Sequence, residues 1–321
     1  MLRRPTLHDI RSAHERILPY ITRTPLHRYL ALDDLVGGAE VYVKHENHQR
    51  LGAFKMRGGV NYMLKLPAEQ RLRGVVTAST GNHGQSIAYA ARLFGVHAVI
   101  VVPEGANPGK VASMRALGGD VRIHGRDFDE SRGEVERLSR EEGFLYIHSA
   151  NEPDLVEGVG TYGLEIMDDL PGVDAILVPV GAGSGVCGTA IAAKSIKPDV
   201  KVIGVQSSDA PAAHQSWRTG EMATLDMGTI AEGLATGVGF EYTVEIMRDL
   251  LDDFVLVSDN EIERAVVLWI EHTRNLAEHA GAAALAGAIS IRESLAGKTV
   301  VLVQSGGNLS LAHLRRALSR N

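Results

Sequence analysis

Residues 175 to 188 have the sequence Ala175-Ile-Leu-Val-Pro-Val-Gly-Ala-Gly-Ser-Gly-Val-Cys-Gly188, in which a short apolar run leads directly into a glycine-rich turn. Such a run is typical of a strand that is buried on both faces of a parallel sheet. The residues that follow, Thr189 to Ser195, have helical spacing. A strand, a glycine turn and a helix form the repeating unit of α/β sheets, which bind ligands at the carboxyl ends of their strands.

The same unit recurs outward from this stretch in both directions. Further apolar and β-branched runs occupy Val41 to Val43, Gly74 to Ala78, Ala98 to Val102, Val202 to Val205, Phe254 to Val257 and Thr299 to Val303. Segments with helical spacing are Met56 to Leu66, Gln85 to Phe94, Gly109 to Leu117, Val159 to Leu170 and Glu261 to Ala277. Single cores stop growing at about 250 to 300 residues. The 321 residues therefore predict an α/β fold with two lobes, each an open, mostly parallel sheet flanked by helices.

Composition and charge exclude several classes of protein. The chain has 33 Lys and Arg against 39 Asp and Glu, and its formal net charge of −6 offers no basic field for nucleic acid. Cys187 is the single cysteine, which excludes an internal disulfide and a metal site made of cysteines. The segment Met1 to Ile10 lacks the apolar core of a signal peptide, and no run has the length of a membrane span. We expect a cytoplasmic protein that binds neither nucleic acid nor membrane.

The glycine turn predicts a binding site for a phosphate. Gly181, Gly183 and Gly185 let backbone N–H groups approach an anion at the start of the following helix. The span Gly183 to Gly188 also matches G-x-G-x-x-G, the dinucleotide fingerprint, which leaves a nicotinamide-dependent oxidoreductase open. That fingerprint needs an acidic residue at the tip of the next strand, where this chain has Gln206. A tight turn without any ligand is the third interpretation.

Three further segments carry polar residues at the ends of predicted elements. The loop Ser79-Thr-Gly-Asn-His-Gly84 suits a small carboxylate, although Ser, Thr and Asn also favour plain helix caps. Lys55, in Phe54-Lys-Met-Arg-Gly-Gly59, follows an apolar residue at the start of a helical stretch, where a partly desolvated lysine can act as a Schiff-base nucleophile. Ser305, in Gln304-Ser-Gly-Gly-Asn308, can exchange one hydrogen bond with a heteroaromatic nitrogen.

In this order, the four segments resemble those of the fold-type II pyridoxal-phosphate enzymes of the threonine dehydratase and serine racemase family, whose fold is of the tryptophan synthase beta type. Three more segments are similar to the family's at the same places in the order: Glu157 to Thr161, Ala231 to Ala235 and Ala277 to Ala283. The resemblance covers essentially the whole chain. It implies a large cofactor-binding domain of residues 1–65 and 150–321, a small mobile domain of residues 66–149, and a homodimer.

The resemblance also implies which residues contact the cofactor, pyridoxal 5'-phosphate, and the substrate. Lys55, preceded by Phe54, would hold the cofactor as a Schiff base, Asn82 would bond its ring hydroxyl, and Ser305 would face its pyridine nitrogen. The cofactor phosphate would lie on Gly181, Ala182, Gly183, Ser184 and Gly185. The carboxylate of the substrate would lie on Ser79, Thr80, Gly81, Asn82 and His83.

The reaction implied by the resemblance is the removal of water from a small β-hydroxy amino acid, threonine or serine, to give a 2-oxo acid and ammonia. Lys55 would take the proton from Cα. Thr80 stands where dehydratases that only eliminate often resemble an alanine and racemases a serine. Thr80 is therefore a candidate second catalytic residue, and a serine racemase is one alternative. A dehydratase acting on 3-hydroxyaspartate or in hydroxyectoine breakdown is another, and a non-catalytic binder of small molecules is a third.

The residues at the positions where relatives hold a metal predict that this chain has no metal site. Serine racemase-like members of the family hold a divalent cation with two acidic residues, at positions where this chain has Gln206 and Ala212. A neutral amide and a methyl group do not offset the dehydration of a hard cation, although Asp209 and backbone carbonyls offer some ligands for a residual site. His45 and His48 are three residues apart, but no H-E-x-x-H helix contains them, and this pattern favours histidines that are hydrogen-bonded or solvated.

Overall fold

The computed structural model describes residues 2–126 and 128–320, which form two sheets with helices on their faces. The strands are β1 (Leu26–Arg28), β2 (Glu40–His45), β3 (Val75–Ala78), β4 (Ala98–Val102), β5 (Asp120–Ile123), β6 (Leu145–Tyr146), β7 (Ala175–Pro179), β8 (Lys201–Ser207), β9 (Asp253–Val257) and β10 (Thr299–Gln304). The helices are α1 (Leu7–Ile17), α2 (Leu30–Asp33), α3 (Lys55–Lys65), α4 (Ala68–Arg71), α5 (Asn82–Leu93), α6 (Pro108–Ala116), α7 (Phe128–Glu141), α8 (Pro153–Asp169), α9 (Ser184–Ile196), α10 (Ala212–Thr219), α11 (Glu241–Leu250), α12 (Asp259–Thr273), α13 (His279–Ser290), α14 (Arg292–Leu295) and α15 (Leu311–Ser319). Within these ranges, no helix combines the length and the hydropathy that crossing a membrane requires.

The strand order confirms the predicted α/β fold with two open, mostly parallel sheets. The larger sheet has the order β1-β2-β10-β7-β8-β9, and the smaller has the order β5-β4-β3-β6. In the larger sheet β1 pairs with β2 in antiparallel fashion, whereas the other neighbours are parallel. The smaller sheet is parallel throughout. Segments before and after the smaller sheet in sequence build the larger one, but the predicted domain limits at residues 65 and 150 stay a prediction.

Both faces of the larger sheet are covered by apolar side chains. In β10, Val301 and Val303 pack into the cluster on one face, and Val300 and Leu302 pack into the cluster on the other. Because neither face meets water, such a strand consists almost entirely of apolar residues. This burial explains why the central strands were visible in the sequence.

The strands that the sequence did not predict lie at the edges of the sheets. The edge strand β1 has three residues, β6 has two, and β5 has four that are half-buried or exposed. A short strand with one neighbour needs no continuous apolar run, so its sequence resembles that of a loop. Each of the seven predicted apolar runs overlaps a strand in the described part of the chain.

Several helices differ in length from the predicted segments. Helix α9 begins at Ser184, whereas helical spacing was recognised only from Thr189. Gly185 and Gly188 therefore lie inside the helix, and the glycine turn is shorter than predicted. Helix α12 ends at Thr273 and not at Ala277.

Glycines allow α8 to pack closely against two neighbouring helices. A Cβ atom at Gly158 would lie 2.5 Å from the carbonyl oxygen of Arg57 in α3. A Cβ atom at Gly188 of α9 would lie 2.7 Å from both the Cα and the nitrogen of Gly160. Real Cβ contacts are longer than this, so any larger residue would separate the helices.

We expect the substitution Gly188→Ala to lower the free energy of unfolding by about 1 to 3 kcal/mol, because the added methyl group meets backbone atoms that cannot move aside. Gly133→Ala is the matched control, since Gly133 lies on an exposed part of α7 and its added Cβ would meet no atom within 4 Å. That substitution should stabilise the protein by about 0.5 to 1 kcal/mol. Urea unfolding measures both values, and equal effects in the two variants would contradict the packing argument.

Candidate active site

The four predicted segments meet at one cavity of about 510 Å³ at the carboxyl ends of the strands. Its wall includes every residue that the sequence proposed for the cofactor and the substrate: Phe54, Lys55, Ser79, Thr80, Gly81, Asn82, His83, Gly181, Ala182, Gly183, Ser184, Gly185 and Ser305. The segments are up to 250 residues apart in sequence, so their convergence is a property of the fold. Their individual roles stay predictions.

Lys55 is the first residue of α3, and its surroundings hold both its backbone and its amine. The Lys55 carbonyl accepts a hydrogen bond from Ser86 Oγ at 2.7 Å, and the amide of Phe54 donates to the carbonyl of Ser305 at 3.1 Å. Lys55 Nζ donates to Ser184 Oγ at 2.8 Å. Burial lowers the pKa of Lys55 to about 8. A substantial share of the amine is therefore neutral near physiological pH, as a nucleophile or base requires.

The turn from Gly181 to Gly183 forms a cradle at the start of α9. Gly183 has φ of +92°, and a Cβ atom there would lie 2.8 Å from the Cβ of Thr243. A Cβ atom at Gly181 would lie 2.2 Å from the carbonyl oxygen of Gly233. Glycine is thus required at both positions. The first turn of a helix leaves amide N–H groups without helical acceptors and carries partial positive charge, which together suit a phosphate.

The second half of the glycine-rich stretch has a packing role. A Cβ atom at Gly185 would lie 3.1 Å from Phe54 Cε2 and from the Tyr162 hydroxyl, and Gly188 packs against Gly160. The match of Gly183 to Gly188 to the dinucleotide fingerprint is therefore explained by helix packing, and it no longer supports a nicotinamide cofactor.

The loop from Ser79 to His83 is bonded to the first turn of α5 and lines the cavity. Ser79 Oγ accepts hydrogen bonds from the amides of Gly81 at 3.2 Å and Gly84 at 2.9 Å. His83 Nε2 lies 3.0 Å from Thr77 Oγ1. Burial, with a smaller contribution from the charge of Lys55, lowers the pKa of His83 to about 3. The imidazole is therefore neutral, and it can orient a ligand but cannot offer it a charge.

Asn82 is fixed by two residues that the sequence did not assign to the site. Its Nδ2 donates to Glu278 Oε1 at 2.6 Å, and its Oδ1 accepts from Asn308 Nδ2 at 2.8 Å. Burial raises the pKa of Glu278. Both partners lie within segments that resemble those of the family, Ala277 to Ala283 and Gln304 to Asn308. No local pattern in the sequence indicates that Glu278 or Asn308 bonds to Asn82.

Charged residues from both lobes also line the cavity and were missed. Lys110 of α6 pairs with Glu232, which lies between α10 and α11. Arg132 of α7 also lines this wall, and its Nε lies 3.9 Å from Glu136 Oε1. These residues stand in amphipathic or irregular segments, where charged side chains are common and no local pattern marks a site.

The residues present do not fit a divalent cation. Gln206 Oε1 accepts a hydrogen bond from the amide of His214 at 2.9 Å, and Ala212 is buried at the start of α10. No group of three or more His, Cys, Asp or Glu in the described ranges could hold a metal ion. His45 lies 2.9 Å from the Tyr29 hydroxyl and His48 2.6 Å from Asn275 Oδ1, which confirms that both histidines are hydrogen-bonded. Independence from a metal stays a prediction.

Comparison with known proteins identifies the family. A family model described as pyridoxal-phosphate dependent enzyme matches residues 17–306. An L-threonine ammonia-lyase from Thermotoga maritima is 38% identical over 316 residues, which is 98% of this chain and 78% of that protein. An L-threo-3-hydroxyaspartate ammonia-lyase from Saccharomyces cerevisiae is 37% identical over 317 residues, 98% of this chain and 97% of that protein. The structure of maize serine racemase is similar with a TM-score of 0.92 and 33% identity, covering 99% of this chain and 98% of that one.

The geometry of the cavity fits the cofactor that the family uses. A partly neutral lysine lies beside a helix N-terminus whose preceding turn packs so closely that Gly181 and Gly183 must be glycine. Those are the two groups needed to bind an aldehyde and a phosphate of one molecule. The chain belongs to the pyridoxal-phosphate-dependent enzymes of fold type II, and its cofactor is pyridoxal 5'-phosphate.

Proposed function

We propose that this protein is an ammonia-lyase that removes water from a small β-hydroxy amino acid, threonine or serine, to give a 2-oxo acid and ammonia. The observation that carries the proposal is the position of Lys55 Nζ, 2.8 Å from Ser184 Oγ at the first turn of α9 and on the wall of the cavity. The relatives named as L-threonine ammonia-lyases and dehydratases support the reaction class.

In this proposal the cofactor is held by residues of the larger sheet and by Asn82. Lys55 would hold the cofactor covalently, Gly181 to Gly185 would bind its phosphate, and Ser305 would face its ring nitrogen. When bound, the cofactor supplies an electron sink for the charge left on Cα of the substrate. The neutral hydroxyl of Ser305 cannot keep the ring nitrogen protonated as a carboxylate would, so this sink is shallow and prompt loss of a β-substituent is favoured.

In this proposal the substrate is held by the loop from Ser79 to His83 and deprotonated by Lys55, both of which line the cavity. The loop from Ser79 to His83 binds its carboxylate with backbone N–H groups and hydroxyls. Once the amino group of the substrate has displaced it from the cofactor, Lys55 Nζ would accept the proton from Cα and return a proton to the departing β-hydroxyl, which leaves as water. Water would then hydrolyse the released enamine to the 2-oxo acid and ammonia. Thr80 lies on the carboxylate-binding loop, and a hydroxyl there could exchange the Cα proton from the other face. Racemisation of serine is therefore the alternative that Thr80 and the likeness to maize serine racemase support.

A second candidate substrate is L-threo-3-hydroxyaspartate, which carries a second carboxylate. Arg132 lines the cavity, and Lys110 enters the same wall from α6. Either cation would bind a carboxylate on the substrate side chain, whereas the methyl group of threonine cannot pair with a cation. The yeast relative named for this substrate supports the candidate.

We propose the remaining properties from the family resemblance. The protein is a cytoplasmic homodimer, with a large cofactor-binding domain of residues 1–65 and 150–321 and a small mobile domain of residues 66–149. Crosslinking and gel filtration test the dimer.

Release of 2-oxo acid tests the proposed reaction. We expect the purified protein to form 2-oxo acid and ammonia in equal amounts from threonine and serine, with chiral chromatography reporting any D-serine. Arg132→Met separates the two candidate substrates. If hydroxyaspartate is the substrate, this variant loses about tenfold or more in kcat/KM for it and little for threonine. Absence of 2-oxo acid from all three amino acids would overturn the proposal.

Borohydride reduction tests the role of Lys55. We expect the cofactor label on the peptide that contains Lys55, and no label on Lys44, which is fully buried and bonded to Glu165. Since only the neutral amine attacks an aldehyde, capture of pyridoxal phosphate by the cofactor-free chain should speed up as the pH rises through the Lys55 pKa of about 8. A label on Lys44 or Lys110 would contradict the assignment.

Substitution at Gly183 tests the phosphate site. Gly183→Asp and Gly183→Asn place side chains of equal size against Thr243 and differ only in charge. We expect the Asp variant to bind pyridoxal phosphate about tenfold or more weakly than the Asn variant, because it repels the phosphate. Gly38→Asp is the control for backbone strain, since Gly38 also has a positive φ, of +82°, but lies away from the cavity. Equal cofactor affinity in the Asp and Asn variants would remove the phosphate assignment.

A further inference from the structure

A cluster of four charged side chains lies buried beside the site and takes no part in the proposed chemistry. Lys44, Glu46, Arg57 and Glu165 are each 0% exposed. The cluster lies between the end of β2, the first turn of α3 and the middle of α8. The charges of its two cations and two carboxylates cancel. The cluster therefore joins three elements by ion pairs and adds no net charge beside the cavity.

Arg57 is the centre of this cluster. Its guanidinium donates to Glu46 from Nε and from Nη2, both at 2.8 Å. It also donates to Glu165 from Nη1 at 2.7 Å and from Nη2 at 2.9 Å. Although burial opposes the charge, the two carboxylates raise the pKa of Arg57 above its ordinary value. Burial also opposes the charge of Glu165, but Arg57 and Lys44 lower the pKa of Glu165 to about 2.

The first turn of α3 links this cluster to the candidate site. Lys55 and Arg57 are both in that turn. Bidentate pairs on two edges of a planar guanidinium are satisfied in one orientation only. A rotation or slide of α3 that moved Lys55 would therefore break several of the hydrogen bonds of Arg57 together.

Stability does not explain why charges occupy this place. Removing four charges from water costs about as much as their mutual attraction returns, and apolar side chains of similar volume often serve as well or better. The ionic cluster fixes the orientation of α3 more strictly than apolar side chains would. Apolar contacts tolerate small shifts of a helix, whereas short, bidentate hydrogen bonds do not. A displacement of about 1 Å at a reacting group can cost on the order of 100-fold in rate.

We propose that Arg57 is a positioning residue, whose hydrogen bonds to Glu46 and Glu165 fix the first turn of α3 and so hold Lys55 Nζ at Ser184 Oγ. This inference rests on the proposed function, because it concerns the lysine that carries the cofactor. Arg57 is outside the wall of the cavity and acts through the helix alone.

Two charge-balanced double variants separate positioning from stability. Arg57→Met with Glu46→Gln removes the anchor of α3 and leaves Lys44 paired with Glu165. Lys44→Met with Glu165→Gln removes that pair and leaves Arg57 bidentate to Glu46. Each double variant deletes one buried cation and one buried carboxylate, so urea unfolding should show comparable losses of stability.

Two measurements on the full chain then report on Lys55. Competitive acetylation followed by peptide mass spectrometry gives the pKa of Lys55 without cofactor, and steady-state kinetics with pyridoxal phosphate bound give kcat and KM. For Arg57→Met with Glu46→Gln, we expect the pKa of Lys55 to rise from about 8 toward its ordinary 10.5. We also expect kcat to fall about 100-fold, with KM changed less than about threefold. The other double variant keeps Arg57 bidentate to Glu46, and Glu165→Gln still leaves an amide oxygen that can accept from Arg57. Its Lys55 pKa and its kcat should therefore change much less than those of Arg57→Met with Glu46→Gln.

Parallel changes in both double variants would overturn the proposal, because a loss of stability is common to both. An unchanged Lys55 pKa in Arg57→Met with Glu46→Gln would overturn it as well. If that variant does not fold, Arg57→Lys decides: its ammonium cannot form two bidentate pairs, so the same rise in pKa supports the proposal and an unchanged pKa overturns it. Failure of the proposed function is separate, because it would appear in the parent chain as a cofactor label absent from Lys55.

Discussion

The contact of α8 with α3 on one side and with α9 on the other is the constraint on which the candidate site depends. Helix α3 carries Lys55, and α9 begins at the turn proposed to bind the phosphate. Gly158 lets the α3 backbone touch α8, and Gly160 lets α9 touch it. The spacing between the backbones of α3 and α9, which carry Lys55 and Ser184, is thus set by backbone contacts that no side-chain rotation can relax. Because the two helices are packed in this way, the positions of Lys55 and of the turn do not depend on a bound ligand.

The parts of the fold that could be predicted are those whose physics is local. Strands buried on both faces must be apolar along their length, so β7 and β10 were visible in the sequence. The edge strand β5 could not be predicted because its residues are half-buried or exposed and need not be apolar. The extent of α9 was misjudged for a different reason: Gly185 and Gly188 weaken a helix taken alone, and only the contacts with Phe54, Tyr162 and Gly160 explain why they stand there. Those contacts join segments that are distant in sequence.

The residues of the site also differ in whether a local pattern in the sequence reveals them. Lys55, the glycine turn and the loop from Ser79 to His83 were found because each carries an unusual local combination of residues, and their order along the chain matched a family. Glu278 and Asn308 act on Asn82 across more than 190 residues, and no local pattern encodes such a bond. Both bonds join α5, beside the smaller sheet, to segments of the larger one. The pair of Lys110 with Glu232 makes a similar crossing, so the cavity is closed by partners that the fold alone brings together.

The environments of two lysines explain why one of them is suited to chemistry. Lys44 is fully buried and Lys55 is partly buried, and burial lowers the pKa of each. Lys44 donates to Glu165 and to the carbonyl of Thr24, and the carboxylates of Glu165 and Glu46 oppose the effect of burial. Lys55 donates to the hydroxyl of Ser184, which carries no charge, and burial is the cause that sets its pKa. An amine that is desolvated without a carboxylate gains reactivity by losing its proton, whereas one that faces a carboxylate gains a fixed place in the fold. The chain therefore uses the same side chain for opposite purposes eleven residues apart, and the position of the nearest carboxylate decides which.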